Sequence, residues 1–206
     1  MMPTTTAILE SLSTIANAWR WLAVLAHAAL LLILIARRRW SERAVAYWLT
    51  LPLISVSLLA WWAGNPFNGL VFLLLVLSAA RIATTMRTDQ IRLERSRIDR
   101  TVGLGLIVFG WVYPHFLVAG TWASYLCASP LALIPCPTLA IVAGFSLLLS
   151  LDSRAWNLLI AAAGLVYGIV GVAALGVSVD GLLIAGSVAL LAKVVRLRRQ
   201  PRRVAA

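Results

Sequence analysis

Two histidines and two cysteines are the residues of this chain best suited to metal, haem or redox chemistry: His27, His115, Cys127 and Cys136. His27 lies within an apolar run, where burying an ionisable side chain is costly and favours a specific role. Two interpretations stay open for it. It is either a neutral imidazole hydrogen-bonded to a neighbouring helix, or a haem, metal or proton-relay residue.

Cys136 lies between two prolines, in the segment Pro135-Cys136-Pro137-Thr138. The second proline suits the first turn of a helix, and the first one holds the preceding residue extended. The thiol therefore lies at a rigid helix start, where the helix dipole favours a thiolate. Three interpretations stay open: a buried structural cysteine, a disulfide with Cys127, and a soft-metal site formed by both thiols and His115.

The elements that carry these residues are long apolar runs. Of the 206 residues, 62% are hydrophobic and 12% are charged, which leaves too little polar surface for a water-soluble domain. Because a helix needs about 20 residues to cross a bilayer, the sequence predicts an all-α, polytopic transmembrane helix bundle that forms one integral membrane domain. Its seven predicted spans cover about 18–36, 44–63, 66–83, 102–121, 136–151, 156–177 and 181–195. The fifth is expected to be short, tilted or partly re-entrant.

Arginines gather after span one, in residues 87–100 and in the carboxyl-terminal tail, whereas the opposite side receives only Glu10, Arg20 and Asp180. By the positive-inside rule, the amino terminus lies outside and the carboxyl terminus inside the cytoplasmic (inner) membrane of a bacterium. Acid–base pairs at i,i+3 spacing predict that residues 87–100 form a cytoplasmic helical segment. The residues before span one predict a short interfacial helix.

The net charge of +11 belongs to these arginine clusters. Their position beside apolar runs indicates contact with the anionic headgroups of the lipid bilayer, not with nucleic acid.

Span six carries a face of small residues: Ala161, Gly164, Gly168 and Gly171. Small residues allow close helix approach in lipid. We expect this face to pack against another span of the same chain, with Ala140 and Gly144 of span five as its natural partner, and not to form a dimer seam.

Tyr113 and His115 flank Pro114 in span four, where the proline is expected to kink the helix and Tyr113 could line a pocket. Two histidines on different spans could ligate one haem iron. The predicted topology, however, places His27 roughly one helical turn deeper than His115, which disfavours that arrangement.

Tyr113-Pro114, a loop and then Pro135-Cys136-Pro137-Thr138 before an apolar span form a pattern. This pattern resembles a family of small bacterial multipass membrane proteins of unknown function that carry a Pro-Cys-Pro-Thr motif. The resemblance implies no activity, but it directs attention to Cys136 and Thr138.

Three function classes follow from these residues. The first is a non-enzymatic membrane component, either a partner subunit or a small transporter, with its site at the outer ends of spans one, four and five. The second is a redox or metal-handling protein that uses the outer-side cysteines and histidines. An enzyme ranks last, because the predicted spans contain no interior carboxylate and the loops hold no recognisable catalytic motif. No cofactor is predicted, although haem and a soft metal stay open. The sequence identifies no substrate, protein partner or oligomeric state.

Overall fold

The computed structural model describes residues 5–36, 39–118 and 121–199, and all the regular elements in these ranges are helices. The predicted all-α class is therefore confirmed. Arg37, Arg38 and the tail arginines Arg202 and Arg203 lie outside the described residues. The helices are α1 (Thr5–Ala18), α2 (Arg20–Ala36), α3 (Glu42–Trp62), α4 (Pro66–Ala83), α5 (Arg97–Trp111), α6 (Trp122–Ala128), α7 (Pro135–Leu148), α8 (Arg154–Ala173) and α9 (Gly181–Arg199), with a 3₁₀ turn at Ser178–Asp180.

Within the described ranges, four helical segments are long and apolar enough to cross a membrane: α3, α4, α8, and α9 together with the turn before it. A fifth results if α1 and α2, which meet at 71°, count as one broken span. The fold is thus that of a membrane protein. Because α5 and α7 have 15 and 14 residues, against about 20 for a full span, the predicted number of seven spans stays a prediction.

Helix α7 is the centre of the bundle. Every residue from Pro137 to Leu148 is buried, and α3, α5, α8 and α9 surround the helix. A helix that is apolar on all sides has no face to present to water, so it is stable only when other elements enclose it. The expected short fifth span is therefore a core helix covered by the rest of the chain.

The contact between α5 and α7 is made by backbone. A Cβ atom on Gly103 would lie 2.8 Å from the carbonyl oxygen of Gly144, and a Cβ on Gly144 would lie 2.8 Å from that of Gly103. One residue before the end of α5, a Cβ on Gly110 would lie 2.6 Å from the Pro137 oxygen. Since no side chain fits between them, the glycines set the separation of the two helices.

The small-residue face of α8 packs within the chain, but against a different helix from the one expected. Gly164 lies against Ser187, Gly168 against Ile184 and Gly171 against Asp180, and these partners belong to α9 or to the turn before it. Ala161 on the same helix is fully buried. The partner predicted on span five is already occupied, because Gly144 faces α5.

Residues 87–96 are extended, so the helical segment predicted over 87–100 is wrong for this part and α5 begins at Arg97. The extended segment crosses the ends of α3 and α7, and these tertiary backbone bonds outweigh the weak i,i+3 side-chain pairs. Its bonds include Ile91 N–H to Trp40 O (2.9 Å), Glu94 N–H to Leu148 O (2.9 Å) and Ser150 N–H to Arg92 O (2.8 Å).

Lys193 of α9 is only 2% exposed and forms the centre of a charged group at this end of α7. Its Nζ lies 3.0 Å from a Glu94 carboxylate oxygen and 3.5 Å from Asp152 Oδ1, and it donates a hydrogen bond to the Ser146 carbonyl (3.0 Å). We call Lys193, Glu94 and Asp152 the Lys193 cluster. It ties α9 to the extended segment and to the α7–α8 turn.

Burial alone would raise the pKa of the Glu94 carboxyl. The charge and hydrogen bond of Lys193, together with the backbone N–H groups of the next two residues, outweigh burial and hold this pKa below its ordinary value. The ionised form of Glu94 is therefore part of what stabilises the folded chain.

Gly103→Ala should lower stability by about 1–3 kcal/mol, because the new methyl group meets the α7 backbone. Gly105→Ala is the matched control, since a Cβ at Gly105 meets nothing within 4 Å, and it should leave stability unchanged or slightly raised. Thermal unfolding of the detergent-purified protein measures both. Equal effects of the two substitutions would contradict the close α5–α7 contact.

Glu94→Gln should destabilise the protein at neutral pH by roughly 1–3 kcal/mol. A carboxyl whose pKa is lowered by folding contributes stability above its unfolded value, near 4.5, and loses it as the pH falls through the folded value. The difference between wild type and variant should therefore shrink below about pH 4.5. Glu10→Gln, at an exposed position, is the control. A difference that persists undiminished in acid would show that Glu94 does not act through its charge.

Candidate functional site

A second polar group lies at the opposite end of α7, where this helix begins. Its members come from the loop after α5, from α7, from α8 and from the turn before α9. We call it the Asp180 cluster, and it consists of Tyr113, His115, Cys136, Tyr167 and Asp180.

The loop that carries Tyr113 begins earlier than the sequence predicts. The span expected over 102–121 ends as a helix at Trp111, so Pro114 follows the end of the helix and does not kink it. Pro114 cannot donate a helical hydrogen bond and disfavours helical backbone in the residue before it. The chain then turns through Phe116, whose φ is +71°, a strained value for a residue other than glycine. Tyr113 is thereby directed into the protein, where it is 0% exposed.

Tyr113 Oη donates a hydrogen bond of 2.8 Å to Asp180 Oδ1. Asp180 is 0% exposed, and its Oδ2 has no hydrogen-bond partner among the described residues. This oxygen lies against Gly171, where any side chain would collide with the carboxyl group. The glycine of α8 therefore makes room for a buried carboxyl group.

From the sequence, Asp180 is only one of the few charged residues on the outer side, whereas the structure buries it fully in the turn between α8 and α9. The sequence does contain a feature that points to a special role of Asp180. Asp180 is the single charged residue between Arg154 and Lys193, and an ionisable residue alone in a long apolar stretch indicates a specific role.

Cys136 is half-buried, and its Sγ lies 3.9 Å from the Tyr167 carbonyl oxygen and beside the Asp180 carboxyl. The Tyr167 hydroxyl in turn donates to Asn68 Oδ1 of α4 at 2.9 Å. The cluster thus contains one carboxyl, one thiol, one imidazole and two phenols. These groups can bind a cation or pass a proton.

Cys127 is exposed on α6, and both cysteines are free thiols, so the structure does not contain the disulfide considered from the sequence. Among the described residues, no three histidine, cysteine, aspartate or glutamate side chains are close enough to hold a metal ion. The structure therefore does not assemble His115, Cys127 and Cys136 into a metal site. His115 instead contacts the rings of Tyr113 and Phe116, at centroid distances of 5.8 and 6.1 Å.

His27 is buried on α2, and both its ring nitrogens face backbone carbonyls. Nδ1 is 2.7 Å from the Ala23 oxygen and Nε2 is 3.0 Å from the Trp111 oxygen. Its ring packs edge-to-face on the Trp111 ring, with centroids 4.5 Å apart. Because neither nitrogen is left for iron, the structure supports the interpretation of a histidine hydrogen-bonded to a neighbouring element and not that of a haem ligand.

Thr138 holds the turn before α7. Its hydroxyl accepts a hydrogen bond from Ala132 N–H (3.0 Å) and donates one to the Ile134 carbonyl (2.7 Å). This stabilises a turn in which Ala132 has a φ of +63°. Within the Pro-Cys-Pro-Thr segment, Cys136 therefore faces the cluster and Thr138 supports the backbone.

Helix α1 covers this end of the bundle with one apolar face. Its Asn17 side chain makes two hydrogen bonds to the loop that carries Tyr113: it donates to the Phe116 carbonyl (2.9 Å) and accepts from Val118 N–H (2.9 Å). Beneath α1, residues including Ser11, Asn68 and Pro135 enclose a cavity of about 10 Å³, room for one water molecule. Helix α1 and the loop 112–118 together form the cover of the Asp180 cluster.

Comparisons with models of known families, with curated proteins and with solved structures find no match for this chain. The resemblance to the Pro-Cys-Pro-Thr family stays a prediction. A function for the chain therefore has to be derived from the chemistry of its own site.

Tyr113→Phe should destabilise the protein by about 1–3 kcal/mol, because it removes the hydrogen bond from the Tyr113 hydroxyl to the buried Asp180 carboxyl. Tyr47→Phe is the control, since Tyr47 is 39% exposed on α3 and lies outside the Asp180 cluster. Thermal unfolding in detergent compares the two. If Tyr113→Phe were as stable as Tyr47→Phe, the Tyr113–Asp180 bond would contribute nothing.

Proposed function

We propose that this chain is a small transporter, a non-enzymatic protein of the bacterial cytoplasmic membrane, and that the Asp180 cluster is its binding site. The observation that carries the proposal is Asp180 itself, a fully buried carboxyl with a free oxygen at the start of a helix able to span a membrane. Ionisable groups buried in the apolar surroundings of a membrane domain are rare and mark substrate and ion pathways.

The backbone around Cys136 supports transport over a passive subunit. Residues 129–135, a buried turn and the first residue of α7, are all enclosed by protein. Irregular backbone at membrane depth is tolerated only where protein covers it or where it lines a cavity, and binding sites of transporters are built at such interrupted helices. Helix α7 begins at this break, beside Asp180.

Alternating access also requires a closure on each side of the site. The cover formed by α1 and the loop 112–118 closes one end of α7, and the Lys193 cluster closes the other. The two closures differ in kind, because the first rests on hydrogen bonds between neutral groups and the second on ion pairs of the buried Lys193, one of them to an exposed carboxylate. This asymmetry favours opening at the Asp180 end.

The exposed arginines near the Lys193 cluster support an orientation with that end in the cytoplasm, by the positive-inside rule. The amino terminus and the Asp180 cluster then lie on the outer side. The arginines proposed to contact anionic lipid headgroups are Arg39, Arg81, Arg87, Arg92, Arg95 and Arg97.

Labelling of Cys136 from both sides of the membrane tests the proposal. In a Cys127→Ser variant, Cys136 is the one thiol that remains. Reduced spheroplasts and inside-out vesicles are treated with a membrane-impermeant maleimide. We expect Cys136 to react in both preparations, because a transporter exposes its site to each side in turn.

The control is Cys136→Ser, in which the exposed Cys127 should react only in spheroplasts and faster than Cys136 does. Reaction of Cys136 in one preparation alone, or in neither, would exclude alternating access at this site and favour a static partner subunit.

A further inference from the structure

Asp180 lacks the contacts that explain a structural carboxylate. The three ion pairs among the described residues all lie at the other end of α7, where Lys193 and Arg196 are used. Although Asp180 directly precedes α9, no backbone N–H of that helix bonds to its carboxyl within the described chain. It is neither a salt-bridge partner nor a helix cap in this structure.

The groups around Asp180 on every packed element are Tyr113 and His115 from the loop, Cys136 from α7, and Tyr167 from α8. None of them carries a permanent positive charge. The hydroxyl, thiol and carbonyl atoms among them are oxygen and sulfur groups that can solvate a cation. Since an unpaired buried carboxylate is costly, a bound cation or proton would stabilise the site.

The backbone limits the size of any cation that can lie next to the Asp180 carboxyl. Asp180 Oδ2 lies against Gly171, and even a methyl group there would collide with the carboxyl. Tyr113 covers the other oxygen. An organic cation therefore does not fit between them.

We infer that the Asp180 cluster binds one monovalent inorganic cation, a proton or an alkali metal ion, at the Asp180 carboxyl. The inference rests on the proposed function and gives its substrate or coupling species a chemical class. The ion reaches Asp180 when α1 and the loop 112–118 move apart. The hydrogen bond between Tyr113 and the carboxyl stays in place when the ion is bound.

Thermal unfolding of the purified full chain tests this inference. Wild type, Asp180→Asn and the exposed control Asp89→Asn are compared in sodium, potassium, lithium or choline chloride at equal ionic strength. A second series in choline varies the pH. A ligand that binds only the folded state raises its melting temperature, here by several degrees. We expect wild type and Asp89→Asn to respond alike and Asp180→Asn to lose the response.

A melting temperature that rises saturably with one alkali ion identifies that ion as the ligand. A melting temperature that depends on pH but on no alkali ion identifies a proton. Identical behaviour of wild type and Asp180→Asn in both series overturns the inference. If Asp180→Asn does not fold, infrared difference spectra of the wild type and of Asp180→Glu replace it. Absence of both an alkali-ion effect and a titrating carboxylic-acid band that differs between the two proteins then overturns the inference equally.

The labelling of Cys136 tests the proposed transport, and the unfolding measurements test cation binding, so either proposal can fail while the other holds. An ion response with one-sided labelling of Cys136 leaves a cation-binding protein that is not a transporter. Two-sided labelling without any response at Asp180 leaves a transporter whose solute is not an inorganic cation.

Discussion

The constraint on which the structure depends is the enclosure of α7, a helix with no polar face. A helix of this kind gains nothing from water, and it must be covered by helices that approach to backbone contact. The glycine contact between Gly103 and Gly144 meets that demand on one side. The remaining helices complete the cover, and the apolar outer surfaces that they present suit a lipid environment better than water.

Because α7 is apolar and enclosed, the two buried polar clusters lie at its two ends. At one end, Lys193 has a full set of partners in Glu94, Asp152 and the Ser146 carbonyl. At the other, Asp180 has one hydrogen bond and one free oxygen. A buried polar atom without a partner calls for a specific explanation, such as a bound ion or a water molecule. This contrast supports the assignment of function to the Asp180 end.

Local signals in the sequence predicted local structure well. Apolar runs, caps and prolines gave the helical class, and the fourth helix spans residues 66–83 as expected. The errors concern contacts between distant residues. In residues 87–96, backbone hydrogen bonds with the ends of α3 and α7 outweigh the i,i+3 side-chain pairs, so no helix forms. The α8 glycines pack against α9 because α5 already occupies Gly144. Asp180 was missed for the same reason, since its burial is created by Gly171 and Tyr113 and not by its neighbours in sequence.

The central position of α7 also governs how the chain can assemble. Its neighbours α3 and α5 precede it in the sequence, and α8 and α9 follow it. During synthesis, α7 therefore emerges before half of its enclosure exists. It is also too short to cross the bilayer alone. A ribosome-bound chain that ends after α7 would hold this helix only loosely, so the last two helices complete both the fold and the membrane integration of the one before them.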